Sequence, residues 1–201
     1  MSQADIDTFA YSAAWNGALT PEGVVVAVET RGIPVNGRSS ACGLTALQYA
    51  VISKRRELVI ALLAAGADPN VKDPDGRTSV CAAAIHNTAD ILQLLIDGGG
   101  SVNEADNVGR TPLIYMLVRG SINVYTGARL QMLLASPVLD LDAKYKGKTA
   151  EEWAVTEGRP ELAGHPELAA AIAEEQRRRM RWSALRSTWI DATVAPVAAL
   201  L

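Results

Sequence analysis

The sequence predicts an all-α solenoid of helix-turn-helix units joined by β-hairpin-like turns. Three observations predict it. A Gly-x-Thr triplet recurs at Gly43/Thr45, Gly76/Thr78, Gly109/Thr111 and Gly147/Thr149, at steps of 33, 33 and 38 residues. Each triplet opens the same order: a short apolar helical run, a second Leu/Ile-rich run, a Gly stop and an extended ending such as Ser101-Val102-Asn103. Apolar residues make up 49% of the 201, but Phe, Tyr and Trp only 5%, so the apolar mass is Ala, Leu and Val and suits closely approaching helices. A unit with an apolar stripe on two helices buries both stripes only by stacking on its neighbours.

The copy that keeps the register best is Gly76–Asn103, flanked by Gly43–Asn70 and by the stretch that Gly109 opens. A fixed step of about 33 residues, built as a turn plus two helices, resembles the ankyrin-repeat family. Against that family's Thr-Pro-Leu-His-x-Ala-Ala-x-x-Gly, Gln48 and Cys81 stand in the His place, and Lys54 and Asn87 in the place of the Gly between helices. The resemblance covers roughly 10–175. It implies units at about 1–36, 37–70, 71–103, 104–142 and 143–175, with 176–201 as a C-terminal helical extension and tail.

Residues 4–17 are expected to form a first helix, with Phe9, Ala13 and Ala14 on one side. Thr20-Pro21-Glu22 is a helix start: a capping hydroxyl, Pro at the first position and an acid at the positive end. The Val24–Glu29 run reads as helix or strand by periodicity alone. The Arg31–Asn36 ending, which resembles the family's Ala-Gly-Ala-Asp-Val-Asn, decides for helix in a diverged N-terminal cap. In the second unit Leu47, Ala50 and Val51 share a face, as do Leu58, Val59, Leu62 and Leu63, and Gly66 ends the helix with a positive φ. In the third unit Leu94 is taken as a core position. In the fourth, the helix Thr111–Arg119 is followed by five extra residues around Ser121–Gly127, and the second helix starts late, at Ala128. The fifth holds Trp153 and Ala154, with a second helix from near Pro166 that runs toward Arg177–Arg186.

Composition excludes several function classes. A net charge of −3 gives no general pull toward nucleic acid or anionic lipid. Cys42 and Cys81 are two isolated thiols, so a reduced, intracellular setting is expected, cytoplasmic with the nucleus as alternative. Residues 1–20 lack the pattern of a signal peptide, and no apolar run is long enough to span a membrane. His86 and His165 fall in different units with no acid or Cys at ligand spacing, and Ser79 sits two helical turns from His86. Gly98-Gly99-Gly100 follows a helix where a phosphate loop would open one. No catalytic residue, metal or cofactor is expected.

What remains is recognition. In ankyrin proteins partners commonly dock on the hairpin tips and inner helix ends, and the resemblance implies the same for this chain. The tips carry Lys72, Arg77, Asn107, Arg110, Lys144, Tyr145 and Lys148. The helix ends carry Ile52/Ser53, Ile85/His86 and Val118/Arg119. The expectation is a monomeric, non-enzymatic protein-interaction module or adaptor. The alternatives are a regulatory or inhibitory subunit of an enzyme, and nucleic-acid binding through the basic helix Arg177–Arg186. A solvated face offset by Glu174 and Glu175 is the plainer account of that helix.

Overall fold

The computed structural model describes residues 2–13, 19–86, 89–119 and 129–153 (131, 137 and 151 excepted), with 170 and 177 beyond them. Helix starts follow the hydroxyls. Ser2 and Asp5 close a capping box on α1 (Gln3–Ser12). Thr20 accepts from the Gly23 amide at 3.1 Å and Pro21 takes the first position of α2 (Pro21–Val25). Thr45 and Gln48 form a second capping box on α3 (Ala46–Ile52). Thr78 and Thr111 accept from the amides of Cys81 and Ile114, both at 3.3 Å, at the starts of α5 (Ser79–His86) and α7 (Pro112–Arg119). Between them lie α4 (Arg56–Ala64) and α6 (Ala89–Asp97). Each side-chain acceptor satisfies an amide that has no partner inside its helix.

The helices form two layers. α1, α3, α5 and α7 adjoin in that order, while α2, α4 and α6 form the second row, α4 against α2 and α6. The core between them is continuous and holds Leu47, Val51, Leu58, Leu62, Ile91, Leu92, Leu95, Leu113 and Met116. Leu94 is only half-buried at its edge, and Leu95 takes the fully buried place. The first helix is shorter than the 4–17 expected: the capping box starts it at Gln3, and its last residue is Ser12. The valine run is helical, and α2 continues as one π-helical turn, Val26–Thr30. That wider turn lets the Ile33 amide reach the Ala27 carbonyl at 3.0 Å and tucks Ile33 into the core.

Turns repeat as strictly as helices. Gly43, Gly76, Gly109 and Gly147 all have φ between 71° and 92°, and Lys54 holds φ 58° where the family places Gly. Among the described residues β character is confined to two antiparallel bridges, Arg38–Thr45 and Tyr145–Lys148. Adjacent units are also stitched by asparagines. Asn36 accepts from the Asp68 amide at 2.8 Å, Asn70 from Ser101 at 2.7 Å and Asn103 from Asp140 at 2.8 Å. Past α7, Arg129, Leu130 and Met132–Leu134 are helical, where the late second helix was expected. Asn87, the Ser121–Gly127 insertion, His165, and the basic run after Arg177 lie outside the described residues.

Candidate interaction groove

Between the second and third units, hairpin residues and the ends of α3 and α5 line a pocket of about 200 Å³, among them Gln48, Ile52, Asp73, Arg77, Ala82, Ile85 and His86. The walls are set from both directions. Gln48 donates to the Val71 and Arg77 carbonyls at 2.9 and 3.2 Å, so its amide fixes the third hairpin against α3. Asp73 is buried and accepts from Arg77 twice, from the backbone amide and from Nε, both at 2.8 Å. The second Arg77 branch pairs with Asp75 at 2.6 Å. Arg77 is thus held over the pocket by two carboxylates, which keep its guanidinium above its ordinary range although burial works the other way. At the opposite wall burial, then the nearby charges of Lys54 and Arg77, hold the His86 imidazole below its ordinary range.

The fourth unit repeats the arrangement with one change. Asp106 accepts from Arg110 Nε at 2.9 Å and from the Arg110 amide at 2.8 Å. It also accepts from the Tyr115 hydroxyl at 2.5 Å, and the Arg110 guanidinium lies 4.6 Å from the Tyr115 ring centroid. Burial raises the Asp106 carboxyl, but the hydrogen bonds from Tyr115 and Arg110 outweigh it and leave the group below its usual range. Burial and then the bond to Asp106 push the Tyr115 phenol far upward. Farther along, Arg110 faces the Tyr145 ring at 5.9 Å, Tyr145 packs on Trp153 at 5.2 Å, and Trp153 Nε1 donates to the Tyr145 carbonyl at 2.6 Å. Lys146 and Lys148 each sit 5.3 Å from an aromatic ring, of Tyr145 and Trp153 respectively.

Residues 47–126 match the family model described as ankyrin repeats (3 copies). That stretch of the chain is built of ankyrin repeats. The chain is 38% identical over 116 residues to a fowlpox virus (strain NVSL) protein named for ankyrin repeats, covering 55% of this chain and 32% of that protein. It is 39% identical over 90 residues to tyrosine-protein kinase HTK16 of Hydra vulgaris, covering 44% and 12%. It is 29% identical over 159 residues to the neurogenic locus Notch protein of Drosophila melanogaster, covering 71% and 5%. The chain therefore spans a third or less of each of these relatives. Their names differ widely, so the likeness is to the repeat and carries no single activity. Ankyrin repeats are in general protein-interaction modules, and their domains are typically non-catalytic.

The ankyrin framework places the expected interaction residues in distinct environments. Arg77, Ile85 and His86 converge on the pocket. Arg110, Tyr145 and Lys148 gather around the aromatic cluster beside the fourth hairpin. Lys72 pairs with Glu104 at 2.8 Å and donates to the Ala105 carbonyl. Asn107 is spent on its neighbour: its amide donates to the Asp75 carbonyl and its side chain to that of Pro74, both at 2.9 Å. Val118 and Arg119 lie in the last turn of α7, and their side chains fall outside the described residues. Three pocket residues escaped the sequence reading: Gln48 as a wall, Asp73 as the buried acceptor and Ala82 as the floor. The one signal for Ala82 was its place in the 33-residue register, between Tyr49 and Tyr115.

Proposed function

We propose that this ankyrin protein is a binding module whose hairpin-and-inner-helix groove docks another protein. The observation that carries the reading is the pocket. Apolar Ile52 and Ile85 stand half-exposed beside Arg77, whose position is already set by Asp73 and Asp75. Apolar surface next to an immobilised cation is the chemistry of an interface centre, and a preformed wall lowers the ordering cost of binding. A basic-aromatic cluster of Arg110, Tyr145, Lys146 and Trp153 stands at the hairpins that follow. A reducing compartment, the cytoplasm or nucleus, is the setting we infer, supported by an exposed Cys42 and a buried Cys81 that are both free thiols.

The test uses the full chain as bait against lysate of its source cells. One variant carries Arg77→Glu with Ile85→Glu. A control carries Ile60→Glu on α4, where Ile60 is exposed. The expected result is a partner recovered by the parent and the control and lost from the groove variant. Equal recovery by all three would place binding elsewhere.

A further inference from the structure

Position 82 breaks a pattern that the flanking units keep. Tyr49 and Tyr115 lie one 33-residue step to either side, and each is packed against its own unit's hairpin. The Tyr49 hydroxyl lies 2.8 Å from Cys42 Sγ, and the Tyr115 hydroxyl bonds Asp106 under the Arg110 guanidinium. Ala82 carries no ring, and it lines the pocket of about 200 Å³ together with Asp73 and Arg77 of its own hairpin. For scale, a cavity of roughly 150 Å³ is enough to admit a benzene ring. Asp73 and Arg77 stand one step before Asp106 and Arg110 and are joined by the same carboxylate-to-Nε bond. In the fourth unit that carboxylate oxygen also takes a phenol; in the third, no side chain of the described residues supplies one.

We propose that the pocket receives a tyrosine side chain of the partner protein, seated as Tyr115 is seated in the fourth unit. The ring stacks beneath Arg77, and the hydroxyl donates to Asp73 Oδ2. Ile52 and Ile85 cover the ring's apolar faces. The inference rests on the docking groove proposed above and adds its anchor. A phenol is favoured over a plain ring because the buried carboxylate is offered a donor, and a hydrogen bond to a charged group is stronger than a neutral one. A cationic anchor is disfavoured because Arg77 already occupies the rim.

The test is a titration of the isotope-labelled full chain with p-cresol, the tyrosine side chain alone, followed by amide NMR shifts. Toluene, which lacks only the hydroxyl, is the comparison. The expected result is saturable shifts at Asp73, Arg77, Ala82 and His86, with toluene weaker by about tenfold or more. Ala82→Tyr should abolish both sets of shifts by filling the space from within, and Ala82→Leu is a second plug should the first variant not fold. Absence of saturable shifts at the pocket with p-cresol would overturn the proposal, and so would toluene binding equally well. Either failure leaves the docking reading standing if the Arg77→Glu, Ile85→Glu chain still loses its partner. If that chain keeps its partner, the docking reading itself falls.

Discussion

The Tyr115 hydroxyl donates to the Asp106 carboxylate at 2.5 Å, and both side chains are almost wholly removed from solvent. The bond ties the first turn of α7 to the hairpin before it. Without it a buried carboxylate keeps only Arg110 and the turn amides as donors. Tyr115→Phe should cost about 1.5–3 kcal/mol in urea unfolding. The pH response should change as well. The Asp106 carboxyl is depressed below its ordinary value of 3.8, so the folded chain binds fewer protons than the unfolded one just below that pH. Its contribution is present above about pH 4 and lost as the pH falls through the lower folded value. The Tyr115 phenol is raised above 10.0, so its contribution is present below that pH and lost on going higher. In Tyr115→Phe the alkaline loss from this group should vanish and the acid loss should shrink. An unchanged stability-pH curve would contradict this account.

Two arginines, Arg55 at the start of α4 and Arg129 in the helical stretch past α7, reach back to the preceding unit. Arg129, 1% exposed, donates from Nη1 to the Ala84 carbonyl at 2.7 Å, near the negative end of α5. Arg55 does the same at α1, donating to the Ser12 and Ala13 carbonyls at 3.3 and 3.2 Å. Each satisfies terminal carbonyls and offsets the helix dipole. Arg129→Met should keep most of the packing and still lower stability by about 1.5–3 kcal/mol, the value of a hydrogen bond to a charged group. Urea midpoints equal to those of the parent would show that the bond adds nothing.

Gly76 and Gly99 share a positive φ, 81° and 88°, but differ in surroundings. A Cβ on Gly99 meets open space, whereas one on Gly76 would lie 2.3 Å from Asn107 Oδ1 and 2.6 Å from the Asn107 amide nitrogen. Gly99→Ala should therefore cost only the left-handed penalty of about 1–2 kcal/mol. Gly76→Ala should cost clearly more, because it also forces apart the bonds from Asn107 to Asp75 and Pro74. Thermal melts of the two variants side by side decide the point; equal losses would mean the hairpin contact yields freely.

Lys54 carries the left-handed backbone between α3 and α4, at φ 58°. Lys54→Gly should remove that strain and stabilise the chain by up to about 1 kcal/mol, the gain being reduced by the greater freedom of Gly when unfolded. The same variant should raise the His86 titration in an NMR pH series, since Lys54 is one of two charges that lower it after burial. No upward movement would show that the Lys54 charge does not reach the imidazole.

His86 makes its own prediction. Its folded value lies below 6.5, so the unfolded chain binds more protons over that window and stability rises with pH there. The contribution is complete above about pH 6.5 and lost as the pH falls toward the folded value. His86→Gln should flatten this part of the curve and leave the carboxylate region below it unchanged. A curve of unaltered slope between pH 5 and 6.5 would sink the assignment.

The repeat, its 33-residue register and the alternation of helix-starting threonines with turn glycines are legible in the amino-acid order alone. These are local properties. A hydroxyl three residues before an amide, or a glycine at a helix end, acts within its own turn whatever packs against it. The positions at which partners should dock were legible only as helix ends and hairpin tips, because register says where a residue stands along its unit and not what faces it. Packing between units is what leans Arg77 and Arg110 onto buried carboxylates, spends Asn107 on the preceding hairpin, and brings Arg55 and Arg129 to the ends of helices 43 and 45 residues away. It also turned Ala82 from an ordinary small core residue into the floor of a pocket. Whether a missing ring leaves a closed contact or an open cavity depends on how far apart stacking holds Asp73, Ile52 and Ile85, and that spacing exists only once neighbouring units bury their apolar stripes together.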